Sequence, residues 1–291
     1  MTITAIILNY KNYQDTKECI LSLKKQILGK DMILRVLIID NGSEDNNTRK
    51  LQEEFPEHEY IYNDKNLGFA KGINQGILLS VKHSDYFLLL NNDALLDQSS
   101  LIEMVAVSEE KSIVGPVIFY KNSPEIVWQG GGFFSKLIMN VVVPDKNKKP
   151  HFRKSLYVDF LSGCTLLIPK NVIENIGYFD ERFFFYGEDL DFSLRAKKAK
   201  IKLIYHRSAR AWHNIQNIEQ SRTSPFVLEN LAFSYIMIVK KHYPNFKIYG
   251  LILFIFIYTP FRLYQIIKGG NSLKNIIFWI KGGIKAWKTK I

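Results

Sequence analysis

The stretch FFFYGEDLDFSLRAKKAK, residues 183–200, sets three carboxylates, Glu188, Asp189 and Asp191, behind an aromatic run and ahead of a basic, helix-like segment. A carboxylate held against apolar rings loses water, and desolvation raises both its pKa and its basicity. Two uses of these acids are open from the residues alone. They can offset the positive end of a helix dipole from its first turn, or one of them can face a cleft. At 3.6 residues per turn Glu188 and Asp191 share a helix face while Asp189 points elsewhere, so the acids do not form one solvated stripe.

Side chains of this kind need elements to hold them, and the first half of the chain supplies a regular set. Apolar runs ITAIIL, ILRVLIID, YIYN and YFLLL alternate with helical patterns over residues 15–26, 46–54 and 69–81. Strands alternating with helices predict a parallel, helix-covered sheet. Ligands of such sheets bind beyond the carboxyl ends of the strands. The polar segments to read are therefore Asn9-Tyr10, DNGS (40–43), KNLGFAKGINQG (65–76) and NNDALLD (91–97). Each also has a plain structural use. DNGS is an ordinary turn sequence, and Gly68, Gly72 and Gly76, four residues apart, allow close helix packing. Neither a GxGxxG fingerprint nor a GxxxxGK[ST] phosphate loop is present, which argues against a dehydrogenase or an ATPase.

With 291 residues, 47% hydrophobic and 13% aromatic, the chain can bury a large core. Its two cysteines, Cys19 and Cys164, have no metal-ligand spacing and suit buried thiols in a reducing compartment. The opening MTITAIILNY lacks a basic leader and a small-residue cleavage site, so it reads as a first strand, with the chain expected on the cytoplasmic side.

The net charge of +11 does not point to nucleic acid, because of where it lies. No acid follows Glu229, whereas ten of the 39 basic residues do, from Lys240 to Lys290, so 29 bases face 28 acids in the first 229 residues. The tail also holds IYGLILFIFIYTPF, fourteen uncharged residues between Lys247 and Arg262. A membrane-spanning helix needs about 20, and Pro260 argues against one. Apolar and aromatic residues mixed with lysines predict a tail lying in the membrane interface. The alternative is a helical hairpin packed on the domain or on a partner subunit of a homo-oligomer. On the membrane reading, a chain cut after about residue 240 is expected to lose vesicle binding and still act on a soluble acceptor.

Taken together and in order, IIDNGS, NLGFAKGINQG, LLLNNDALLD, GYFDERFFFYGEDLDFSLRAKKAK and ARAWHN resemble the inverting GT-A glycosyltransferases of family 2. Within that family the chain looks most like the rhamnosyltransferase-type and galactofuranosyltransferase-type members of bacterial polysaccharide synthesis. The resemblance implies an α/β GT-A sheet, Rossmann-like, with helices on both faces. It covers roughly residues 1–215, which divides the chain into a catalytic domain (1–225, nucleotide-sugar half about 1–97, acceptor half about 98–225) and a helical membrane-associating extension (226–291).

The resemblance also implies roles for particular positions. Asn9, Tyr10 and Asp40 would line the nucleotide pocket, and Asn66, Gly68, Lys71 and Asn74 would hold the nucleoside and diphosphate. Asn92 and Asp93 correspond to the family's Asp-x-Asp region, with Asn91 standing where the longer motif has its first acid. Asp93 and His213 would hold a divalent cation, Mg²⁺ or Mn²⁺. Asp189 matches the family's base and Glu188 would orient the acceptor, leaving Asp191 to the helix start and Arg195. Trp128, Gly131 and Gly132 echo the acceptor-side loop, against the plain alternative of a hairpin turn. Lys200 stands where the family turns on glycine, and Arg207 replaces a usual proline.

The implied donor is dTDP-rhamnose or a UDP-sugar, and the implied acceptor a lipid-linked saccharide at the cytoplasmic face of the membrane. A nucleotidyltransferase would need an N-terminal glycine-rich phosphate loop that ILNYKNYQDTKE lacks. A membrane-docked degenerate transferase without activity is the non-enzymatic alternative that Asn91 suggests.

Overall fold

The computed structural model describes residues 1–150, 155–215 and 223–291. The expected alternation is present as β1 (Thr2–Asn9), α1 (Tyr13–Lys24), β2 (Ile33–Asp40), α2 (Asn47–Glu54), β3 (Glu59–Tyr62), α3 (Phe69–Ser80) and β4 (Tyr86–Asn91). β1 lies between β2 and β4 and runs parallel to both, and β3 continues the parallel set beyond β2.

The second half extends this sheet. β5 (Ala94–Leu96) and α4 (Ser100–Val107) lead to β6 (Ser112–Tyr120) and β7 (Ser123–Gln129). β8 (Gly131–Ser135), β9 (Asn140–Val142), β10 (Leu156–Tyr157), β11 (Phe160–Leu161) and β12 (Thr165–Pro169) follow. After α5 (Lys170–Ile176) and α6 (Glu188–Lys198) comes β13 (Lys202–His213). The large sheet has the order β10-β13-β6-β12-β4-β1-β2-β3, and β11-β8-β9 form a small second sheet. β12 is antiparallel to both of its neighbours, so the sheet is mixed where it joins the two halves.

Alternate side chains of each strand point to opposite faces, and the core divides accordingly. Ile6, Leu37, Ile39 and Leu89 pack under α3, α5 and α6, whereas Ala5, Ile7, Ile38, Leu88 and Leu90 pack under α1, α2 and α4. Helices thus cover both faces. Lys200 takes the turn after α6 at φ 60°, the left-handed geometry that glycine adopts most easily. The register of β13 against β6 shifts between His206 and Arg210, the stretch that holds Arg207.

A third core cluster joins the C-terminal region to this domain. The helix Pro225–His242, here the docking helix, buries Leu228, Ala232, Ile236 and Met237 together with Phe183 and with Leu194 of α6. The division expected at residue 225 falls at its N-terminus. Beyond it the chain is helical from Pro244 to Lys268, 25 residues that include an 18-residue stretch with a mean hydropathy of 1.6, long and apolar enough by length and composition to cross a membrane. Pro260 does not end this helix. A π-helical turn, Phe254–Tyr258, precedes it and absorbs the missing N–H, and the Thr259 hydroxyl donates to the Phe254 carbonyl at 2.7 Å. A terminal helix, Ile276–Lys288, then packs back on the docking helix, where a Cβ on Gly282 would come within 2.1 Å of the Glu229 carbonyl oxygen.

Candidate functional site

A cleft of about 850 Å³ opens at the carboxyl ends of the parallel strands. Tyr10 enters it from the end of β1, Asn41 from β2, and Asn91, Asn92 and Asp93 from β4. Asn66, Gly68 and Phe69 form a wall at the start of α3, and Phe184, Phe185, Tyr186 and Phe226 form an aromatic rim. Phe226 meets Phe184 edge-on at 6.0 Å, which links the docking helix to the rim.

Asp93 and His213 meet in this cleft. β13 ends antiparallel to β5, with His213 opposite Ala94, and this pairing sets His213 Nε2 2.9 Å from Asp93 Oδ1. The two atoms hydrogen-bond to each other and are close enough that the same carboxylate and imidazole would together hold a divalent cation. Among the described residues no cluster of three or more His, Cys, Asp or Glu side chains is present. With two protein donors only, such a cation would draw its other oxygen donors from bound diphosphate and water. His213 lies against Trp128, ring centroids 4.4 Å apart, which brings this tryptophan to the same wall of the cleft.

Asp189 and Glu188 lie at the N-terminus of α6, one turn past the aromatic rim. Asp189 is half-buried and accepts the Gly163 N–H on Oδ2 at 3.0 Å and the Leu190 N–H on Oδ1 at 2.8 Å. Glu188 is buried, and its Oε2 has no hydrogen-bond partner. Burial pushes the Glu188 carboxyl well above the usual range, and the charge of Asp189 adds to the rise. Burial also raises Asp189, against the pull of its backbone donors. Of the pair, Asp189 holds the negative charge, because it is the one with N–H groups to stabilise it, and Glu188 holds the proton. Cys164 is buried next to the cleft wall, its carbonyl accepting the Asn91 N–H at 2.9 Å; burial raises its thiol pKa, and the charges of Asp93 and, to a lesser degree, Asp189 raise it further.

The turn that presents these acids is clamped from the C-terminal side. Tyr186 and Gly187 both take left-handed backbone, φ 68° and 89°. For a tyrosine this costs about 1 kcal/mol. The Ser234 hydroxyl of the docking helix donates to the Tyr186 carbonyl, and a Cβ at Gly187 would come within 2.8 Å of the Ser234 Cβ. One turn later Asp191 is fully buried, bonded to Arg195 at 2.9 Å and to Lys241 and His242 at 2.7 Å each. Burial alone would raise its pKa; hydrogen bonds from His242 and Lys241 and the charge of Arg195 hold it below the ordinary carboxylate range. Arg195 is the partner expected for Asp191, and the two tail residues are additional.

Several expected residues stand behind the cleft. Asn9 is fully buried; its Nδ2 donates to Thr48 at 2.7 Å, and its Oδ1 accepts from Thr16 at 2.9 Å and from Asn92 at 3.2 Å. It supports Asn92 from below. Asp40 is buried and closes the DNGS turn by accepting the Ser43 N–H at 2.6 Å. Asn74 zips α3 to the segment ahead of the aromatic run, exchanging bonds with both backbone groups of Phe179 at 2.9 and 3.0 Å. Lys71 is exposed with its ammonium 4.0 Å from Glu181. Gly131 and Gly132 sit in β8, where their missing side chains admit Tyr205 and Val141. None of these six lines the cleft, and neither do the expected catalytic pair Glu188 and Asp189, which sit behind the aromatic rim that does.

Others line it that the sequence did not single out. Asn41 donates to the Asn66 Oδ1 at 3.0 Å and the Gly68 carbonyl at 3.2 Å and accepts the Leu67 N–H at 3.1 Å, fixing the loop before α3. Asp15 accepts from Asn12 at 2.7 Å and from Asn214 at 2.6 Å, closing the cleft between α1 and the end of β13. Asn41 was visible as the second residue of DNGS but reads as a turn residue; Asp15 reads as a helix-start acid.

The family model described as glycosyl transferase family 2 matches residues 4–177. The chain is 28% identical over 229 residues to the low-salt glycan biosynthesis hexosyltransferase Agl10 of Haloferax volcanii, covering 76% of this chain and 69% of that one. It is 23% identical to the N-acetylglucosaminyl-diphospho-decaprenol L-rhamnosyltransferase of Mycobacterium tuberculosis, over 71% of this chain and 75% of that one. Among solved structures it is similar to GalNAc-T7 with UDP, GalNAc and Mn²⁺, with a TM-score of 0.66 and 13% identity over 98% of this chain and 57% of that one. It is also similar to residues 1-349 of S. aureus TarS, with a TM-score of 0.58 and 15% identity over 98% of this chain and 81% of that one. These structural likenesses are likenesses of fold, whereas the family match covers most of the nucleotide-sugar half and runs on past β12. The chain belongs to glycosyl transferase family 2 and is a glycosyltransferase.

Proposed function

We propose that this glycosyltransferase is metal-dependent and inverting, and that it moves a hexose, rhamnose from dTDP-rhamnose being the first choice, onto a lipid-linked saccharide at the cytoplasmic face of the membrane. The observation that carries the reading is the Asp93–His213 pair in the cleft, with the Asp189 carboxylate just behind its wall: Gly163 N–H donates to Asp189 at 3.0 Å, and the carbonyl of the next residue, Cys164, accepts the N–H of the lining residue Asn91 at 2.9 Å.

Tyr10, Asn66, Gly68 and Asn92 line the cleft where a nucleoside diphosphate would lie beyond the strand ends. Asp93 and His213 would hold Mg²⁺ or Mn²⁺, which when bound supplies positive charge for the departing diphosphate. Asp189 accepts the proton of the acceptor hydroxyl as its oxygen attacks the anomeric carbon; the sugar–phosphate bond breaks and the nucleoside diphosphate leaves. Attack from the face opposite the leaving group inverts the anomeric centre. Glu188, protonated and unpartnered at Oε2, is placed to accept or donate one hydrogen bond beside the base. Trp128 and the aromatic rim exclude water and offer faces for sugar rings.

The rhamnosyl choice rests on the mycobacterial relative, whose name also places its acceptor on a decaprenol lipid. The membrane reading rests on the apolar, basic C-terminal region. The test is nucleotide release from dTDP-rhamnose and from a panel of UDP-sugars, with and without a polyprenyl-diphosphate saccharide and with and without chelator. Release from dTDP-rhamnose that needs acceptor and cation supports the proposal. Release only from UDP-sugars, or turnover unaffected by chelator, overturns the donor or the metal assignment respectively.

A further inference from the structure

The helix Pro244–Lys268 is mostly apolar, yet only Gly250, Phe254 and Ile266 of it are buried. Gly250 packs on the docking helix so closely that a Cβ would come within 2.5 Å of Val239. Phe254 stacks on Trp279 of the terminal helix with ring centroids 4.9 Å apart, and Ile266 is fully buried. These anchors span sixteen residues, about 24 Å of helix axis. Around the rest of its surface Ile252, Ile255, Phe256 and Ile257 are all exposed, Phe256 at 68%.

The catalytic domain reaches this same helix through the hairpin between β8 and β9. Tyr249 donates its hydroxyl to the Leu137 carbonyl at 2.7 Å, and Tyr258 donates to the Ile138 carbonyl at 2.5 Å. The hairpin tip therefore sits on the helix, and its own apolar side chains turn outward, Leu137 at 75% exposure. Lys136 and Lys247 are exposed beside these residues in sequence, and no acid lies anywhere after Glu229.

We infer that the outer side of the helix Pro244–Lys268 and the Leu137–Ile138 hairpin tip form one membrane-docking face that lies in the plane of an anionic lipid surface and does not cross it. The inference rests on the membrane reading above and settles its geometry. A spanning helix must be surrounded by lipid or protein through about 30 Å of hydrocarbon. Here that would strip Gly250, Phe254, Tyr258 and Ile266 from the folded domain or drag the domain into the bilayer. Lying flat, the helix keeps every anchor and buries its exposed side by the depth of an interfacial helix, about 5–10 Å. The lysines then meet anionic headgroups, with no acid to oppose them.

The test uses the full chain with vesicles of phosphatidylcholine containing phosphatidylglycerol. Ile248→Cys and Ile267→Cys, both at exposed positions, carry an environment-sensitive dye read by depth-dependent quenchers, while Cys19 and Cys164 are buried. In-plane docking gives the two dyes the same shallow depth; a span separates them by about 28 Å. Leu137→Asp and Phe256→Asp should each weaken vesicle binding about tenfold or more, since each removes a large apolar burial and adds a like charge to the lipid's. Unequal dye depths, or vesicle binding that Leu137→Asp leaves intact, overturn the inference. Donor turnover with a soluble acceptor, measured on the same samples, reports on the enzymatic reading separately: neither variant touches the cleft, so loss of turnover in the unsubstituted chain counts against that reading and not against the docking face.

Discussion

His242 Nε2 lies 2.7 Å from Asp191 Oδ1, and both side chains are buried. The pair joins the last residue of the docking helix to the first turn of α6, two residues from the proposed base. Asp191 keeps its charge there because Lys241 and Arg195 complete its surroundings. A buried ion pair broken by removal of one partner typically costs about 3–5 kcal/mol. The expectation that a chain cut after about residue 240 would still act on a soluble acceptor therefore changes. Such a cut removes Lys241 and His242, leaves Asp191 buried with Arg195 alone, and should unfold the turn at Asp189. A chain truncated after residue 243 keeps both partners, and comparing the two by thermal melting and by turnover separates this clamp from membrane binding.

The same pair sets an acid limit on stability. The folded pKa of Asp191 is depressed, so its contribution is present above the unfolded value of about 3.9 and is lost as pH falls through the folded value. Glu188 acts with opposite sign: its raised folded pKa gives stability below about pH 4.3 that is lost as pH rises through the folded value. Glu188→Gln should then raise the melting temperature at pH 8 relative to pH 4, measured against the unsubstituted chain. An equal shift at both pH values would show that Glu188 is not a buried acid.

Asp189→Asn keeps the shape of the proposed base and removes its basicity. Turnover should fall by about 10²-fold or more, while the Kd for nucleotide sugar stays within a few fold. Because burial raises the Asp189 pKa, kcat in the unsubstituted enzyme should decline on the acid side at a pH above the ordinary carboxylate range. Retention of most activity in the variant would assign the base elsewhere.

His213→Ala removes one of two donors 2.9 Å apart. The Mg²⁺ or Mn²⁺ concentration for half-maximal rate should rise, and Asp93→Asn should raise it further, because the carboxylate carries the charge. Metal titrations unchanged in His213→Ala would leave that histidine a packing partner of Trp128.

Gly68→Ala tests the donor wall. Gly68 has φ 82°, and a Cβ there would come within 2.6 Å of the Phe184 carbonyl oxygen. The substitution must displace either the loop before α3 or the aromatic rim. We expect KM for donor to rise by about tenfold or more, from a left-handed backbone penalty of about 1–2 kcal/mol plus the clash, with the fold retained by circular dichroism.

Local pattern was enough to read the sheet. Continuous apolar runs, as expected of strands covered on both faces, marked β1 to β4, helical spacing marked α1 to α3, and several of the polar residues at the strand ends do line the cleft, because a strand's end is where backbone pairing stops and side chains become available. Which member of each polar pair enters the cleft was not legible. Asn9 and Asn92, or Asp40 and Asn41, are equally polar in sequence, and strand register with the packing of α1 and α2 decides that one is buried in a hydrogen-bond network and its partner is presented. The meeting of Asp93 with His213 needed the antiparallel pairing of β5 with β13, across 120 residues. In the tail, composition determined an apolar, basic region. Only tertiary structure showed that Pro260 lies within a continuous helix, that Lys241 and His242 hold Asp191, and that Tyr249 and Tyr258 fix the Leu137–Ile138 tip. Those contacts join residues far apart in the chain, and side chains brought together by packing leave no periodic trace in the segments that supply them.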